Sequence, residues 1–109
     1  MSINYKVLGQ ANPPANTTAT LYTNTTTFGA VVSTLHICNL GNTATSFQAA
    51  VRIGGASTST QQFIAYNTPV VANDAISITI GITMANGDVL SVSSTGSYIA
   101  FTAFGSEFN

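Results

Sequence analysis

His36 and Cys38 stand two residues apart in an alternating run, so both side chains fall on one face of a strand. An imidazole beside a thiol is a start toward metal binding. A structural zinc site, however, needs about four ligands. His36 is the only histidine and Cys38 the only cysteine, so the remaining ligands would have to come from Asp74, Asp88 or Glu107 in distant segments. The expectation is no metal and no cofactor. His36 is expected to be half-buried against its neighbours, or to meet its counterpart across an oligomer axis. Cys38 can form no intrachain disulfide and reads as a small, buried apolar residue.

Hydrolytic chemistry is no better supplied. A Ser-His-Asp arrangement needs a serine held against the lone His36 with an acid behind it. Serines are plentiful, but none sits in a Gly-x-Ser-x-Gly elbow. Asp74 and Asp88 flank turn residues, where carboxylates commonly cap backbone N–H groups. Glycosidic cleavage needs two carboxylates about 5–10 Å apart, and the acids here are dispersed. Gly54-Gly55 is a bend, not a phosphate cradle. The sequence reads as that of a non-enzyme.

Asn16-Thr17-Thr18 and Asn24-Thr25-Thr26 match the N-glycosylation pattern, which carries little weight without a secretory leader. The threonine-rich stretches are too irregular for a flat ice-binding face and suit exposed strands. Tyr5, Tyr22, Tyr66 and Tyr98 are residues favoured at interfaces and in sugar grooves, or at the rim of a core. Arg52, alone on a central strand, must find an acid or carbonyls if covered, and a neighbouring subunit could supply them.

Charge is the unusual quantity. Only 5% of the 109 residues are charged, with Lys6 and Arg52 the sole cations and a formal net charge of -1. Typical domains carry about a quarter. Nucleic acid is therefore a poor partner, because phosphate binding needs a basic footprint. A surface solvated by hydroxyls and amides has little colloidal repulsion, so association is easy. Two readings follow: a merely charge-poor domain, or one that lives inside a large assembly. No apolar run is long enough to span a membrane, and the start of the sequence shows no conventional signal peptide.

These residues must be positioned by strands. Residues 30–39 and 46–53 alternate and are separated by a Gly41-Asn42 turn, which predicts a central antiparallel hairpin. In the first, Val31, Leu35 and Ile37 share a face opposite Val32, His36, Cys38 and Leu40. In the second, Phe47, Ala49, Val51 and Ile53 share the apolar face. Residues 3–8 read as a short strand, and Pro13-Pro14 then breaks the chain. Residues 1–16 are thus expected to be an N-terminal arm, lying on the body or on a neighbour, ahead of a domain over 17–109. Further strands are expected at 17–23, where Tyr22 opposes Leu21, and at 62–66, closed by Asn67-Thr68-Pro69. Ile76, Ile78, Ile80, Ile82 and Met84 predict one long strand with a single buried row. Strands at 89–93 and 97–104 follow, then a short tail. About seven or eight strands with no helical periodicity predict an all-β antiparallel sandwich, jelly-roll or immunoglobulin-like.

Taken together, Tyr5-Lys-Val-Leu-Gly-Gln10 with Asn12-Pro13, Ile37-Cys-Asn39, Ala50-Val-Arg52, Ala72-Asn-Asp74, Gly81-Ile-Thr83 and Phe104-Gly-Ser-Glu107 resemble small virion structural proteins of tailed bacteriophages, especially those of cyanobacteria. The departure is at Asn24-Thr-Thr-Thr-Phe28, where a Pro-Ala-Gly-like turn is expected. The resemblance implies a protein made in the host cytoplasm and carried on the virion. Its role would be capsid decoration (cement) or a tail, baseplate or fibre component. The implied partners are the major capsid protein or other virion subunits and further copies of itself, often as trimers. Expected contacts are Tyr5, Val7, Leu8 and Tyr22 near one terminus, Phe104 and Phe108 near the other, and Arg52 between subunits. A receptor- or glycan-binding adhesin using exposed tyrosines is the competing function.

Overall fold

A computed structural model describes residues 2–109. It contains nine strands: β1 (Ile3–Ala11), β2 (Ala19–Thr23), β3 (Ala30–Asn39), β4 (Thr45–Arg52), β5 (Phe63–Val70), β6 (Ala75–Ile78), β7 (Ile82–Met84), β8 (Val89–Ser94) and β9 (Ile99–Phe108). They form two antiparallel sheets, one ordered β1-β9-β3-β6 with β7 also on β3, the other β2-β8-β4-β5. The fold is an all-β sandwich. Because β6 and β7 share β3 as partner, they behave as one interrupted strand. Taken so, the strands follow jelly-roll order, changing sheet at every connection except β4 to β5, with the first and last strands side by side.

The core lies between the sheets. Leu35, Ile37, Ile99 and Phe101 come from the first sheet, and Phe47, Leu90 and Val92 from the second, all essentially inaccessible. Phe47 and Phe101 meet edge-to-face at 6.0 Å across the interior, a favoured aromatic geometry.

The predicted central hairpin does not form. β3 pairs with β9, β6 and β7, whereas β4 pairs with β5 and β8 in the opposite sheet. The connection over 40–44 crosses the end of the sandwich, and buried Asn39 directs it. The Asn39 Oδ1 accepts the Gly41 N–H (3.0 Å), and its Nδ2 donates to the carbonyls of Thr43 (2.9 Å) and Val70 (3.1 Å). The turn is thereby tied to the far side of the sandwich rather than folded back in the plane of β3.

Three bulges move side chains off the faces that strict alternation assigns. One in β3 at Ser33 turns both Val32 and Leu35 inward, so Val32 does not share a face with His36. Another at Leu21 buries Tyr22 beside it. A third, at Leu8 in β1, and the Ser33 bulge lie on either side of the Phe104 position of β9. Gly105 follows Phe104 beside the Ser33 bulge, where an added Cβ would run into the Val31 carbonyl oxygen. Gly9 is crowded in the same manner by the Leu21 carbonyl, where β1 passes over β2.

The isoleucine row is also interrupted. Ile82 and Met84 are buried, Ile76 and Ile78 are half-buried, and Ile80 is 52% exposed. β3 pairs with β6 up to Leu35 and with β7 from Val32. Its bulge between them leaves no ladder to follow, and Gly81 turns the chain there with φ +61°. Ile53 leaves the apolar face of β4, because a 3-10 turn begins at that residue and exposes it. β5 runs on through Pro69, which is tolerated because β5 is an edge. Residues 105–108 belong to β9 rather than to a tail, and residues 3–11 of the expected arm are a full strand of the sandwich, paired along β9.

Candidate functional site

The β1–β9 pair presents four exposed large apolar side chains, Ile3, Tyr5, Val7 and Phe104, in a regular arrangement. Ala103 of β9 points into the core and the Glu107 side chain reaches the opposite sheet, so Phe104, Ser106 and Phe108 face outward. Their cross-strand neighbours are Val7, Tyr5 and Ile3. Tyr5 is 81% exposed, Val7 49%, Ile3 47% and Phe104 41%, with Phe108 half-buried. Of the expected contact residues, Tyr5, Val7, Phe104 and Phe108 thus share one outward face. No charged side chain interrupts it: Lys6, between Tyr5 and Val7, points the other way and pairs with Glu107 (2.7 Å).

The other expected contacts lie elsewhere. Leu8 packs against the core. Tyr22 is 7% exposed, and its hydroxyl donates to Glu107 Oε2 (2.6 Å). Arg52 satisfies itself within its own chain, donating to Ser91 Oγ (2.9 Å) and to the carbonyls of Gly55 (3.2 Å) and Ala56 (3.1 Å). These short-range carbonyls, supplied by the turn that follows β4, remove any need for a neighbouring subunit.

Beneath the apolar face, Lys6, Glu107 and Tyr22 form a chain of contacts that ties β1, β9 and β2 together. The Lys6 ammonium, and then the Tyr22 hydroxyl, hold the Glu107 carboxyl below its ordinary value of 4.5. Burial, reinforced by the neighbouring carboxylate, pushes the Tyr22 phenol above its ordinary 10.0. A carboxylate whose folded pKa is depressed contributes stability above its unfolded pKa and loses it as pH falls. A phenol whose folded pKa is raised contributes below its unfolded pKa and loses it as pH rises. Thermal melts are therefore expected to be highest between these limits and to fall on either side. Glu107→Gln should remove part of the acid limb.

His36 and Cys38 are half-buried on the outer face of the first sheet, and His36 Nδ1 lies 2.8 Å from Ser77 Oγ. Among the described residues no group of three or more His, Cys, Asp or Glu side chains is placed to hold a metal. Asp88 is a turn residue: its carboxylate accepts the N–H groups of Gly54 and Ala85, both at 2.9 Å. A second surface feature lies on the outside of the other sheet. It is a groove of about 220 Å³ whose lining residues are all uncharged Ser, Thr, Asn or Gln, among them Thr18, Gln48, Asn67 and Ser93. No run of residues marks that groove, because its lining comes from separate strands and a loop.

Compared with protein-family models, with curated proteins and with solved structures, the chain matches none of them.

Proposed function

We propose that this chain is a structural subunit of a phage particle, a cement protein that seats the outward face of β1 and β9 on the capsid shell. The observation that carries the reading is the uncharged row of Val7, Tyr5 and Ile3 beside Phe104 and Phe108 on a strand pair in regular register over these residues. Burying such a face against a capsid protein removes apolar area from water with no ion to desolvate. Many copies acting together would reinforce the shell even if each contact were modest. The motifs that resemble tailed-phage virion proteins point the same way. So does the architecture, by analogy, since jelly rolls recur in viral capsid and lectin domains.

The test is binding to shells stripped of this protein. Val7→Ser with Phe104→Ser should weaken binding at least tenfold, about 1.4 kcal/mol, while the melting curve shows an intact fold. Unchanged binding would overturn the reading. Copy number in the particle separates shell from tail: hundreds favour cement, a handful a tail or baseplate subunit.

The neutral groove on the other sheet favours a second reading, a glycan-binding adhesin. It offers hydroxyl and amide partners without charge, a lining suited to a neutral sugar. Retention on a glycan array without shell binding would decide for it.

A further inference from the structure

β1 is the outer edge of its sheet, and its free backbone groups belong to the residues that carry the exposed apolar side chains. Ser2 and Asn109 exchange both of their backbone hydrogen bonds. In an antiparallel ladder such pairs alternate with pairs that exchange none. Asn4 and Lys6 therefore bond inward, opposite Glu107 and Gly105, while the N–H and C=O groups of Ile3, Tyr5 and Val7 point away from β9. The strand is regular from Ile3 to Val7 and bulges only at Leu8.

The other edges carry the usual protections. β5 contains Pro69 and a left-handed Asn67, β2 is short and bulged, and the β6–β7 edge is broken before Ile82. Between Ile3 and Val7, β1 has only Lys6, whose charge is neutralised by Glu107 of the same chain.

We propose that β1 pairs antiparallel with β1 of a second copy about a twofold axis at Tyr5, joining two first sheets into one continuous sheet. In this register Tyr5 faces Tyr5, Ile3 faces Val7 and Val7 faces Ile3, so every free group of these residues finds a partner. On the opposite side of the strands, Lys6 lies across from Asn4. Centring the axis on Lys6 would instead oppose two ammonium groups, which is unfavourable, and centring it on Asn4 would shorten the ladder. The contact is self-complementary, as a twofold interface requires, and is strand addition with an identical strand as the guest. It places the two outward apolar faces side by side, whatever they dock against. A trimer, by contrast, would need a second, non-identical surface to meet this edge.

The test is the molar mass of the full chain in solution, by light scattering and sedimentation across concentration. The expected species is a dimer. Tyr5→Lys and Tyr5→Glu, whose side chains leave the core untouched, should each weaken the dimer at least tenfold by opposing like charges across the axis. An equimolar mixture of the two should dimerise again. Tyr5→Pro, which removes an outward N–H and no bond to β9, should also yield monomers. Melting curves confirm that each variant is folded. A monomeric or trimeric parent chain overturns the proposal. So does a dimer indifferent to Tyr5→Lys, or a mixture that pairs no better than its components. None of these outcomes depends on shell binding, so failure here and failure of the cement reading are told apart.

Discussion

Phe47→Ala is expected to lower the unfolding free energy by about 3–5 kcal/mol, a large part of the roughly 5–15 kcal/mol that holds a domain together. Phe47 is fully buried, and its ring meets Phe101 of the other sheet at 6.0 Å. The cavity would open between two sheets joined chiefly by such contacts, where neighbouring backbones are fixed by their ladders and cannot collapse inward. Chemical denaturation of the parent and variant checks the figure. A loss below about 1 kcal/mol would mean that the interior is not packed as described. The same substitution at Ile78 is expected to cost less than the roughly 2–5 kcal/mol of a fully buried isoleucine, because Ile78 sits half-buried at the sheet edge.

Asn39→Ala is expected to cost about 1–3 kcal/mol, the range for one buried unsatisfied group, since it orphans the buried Val70 carbonyl and also removes the acceptor of the half-buried Gly41 N–H. Asn39 is 1% exposed, and its amide is the tie between the 40–44 crossing and the end of β5. Asn39→Asp keeps an acceptor for Gly41 but sets a carboxylate oxygen against carbonyls, so it should not rescue. Asn42→Ala, exposed in the same turn, is the control and should stay within about 0.5 kcal/mol.

Much of the strand content was legible because alternating residues declare their period. β3, β4 and β8 fall within a residue or so of where alternation places them. Pairing was not legible. The Gly41-Asn42 turn looks like a hairpin turn, but the ladders put β3 and β4 in different sheets, and the long-range bond from Asn39 to Val70 marks the crossing between them. Faces failed at bulges. Tyr22 and Val32 each lie beside an inserted residue, and one insertion reverses the parity of everything beyond it. The outward face of β1 and β9 was half legible. Tyr5, Val7, Phe104 and Phe108 could be singled out as contacts, but their adjacency depends on two strands from opposite ends of the chain meeting in register. Leu8, next to them in sequence, falls by alternation on the inward face with Lys6 and packs against the core.

The backbone pairing of Ser2 with Asn109 has a mechanical consequence. Hydrogen bonds of an antiparallel pair lie across the strands, so tension between these two residues would part β1 from β9 one pair at a time, like a zipper. Tension along the strands, entering through the outward faces, would instead load many bonds at once in shear. A subunit of this shape resists being stretched with a surface far better than it resists being tugged by its ends.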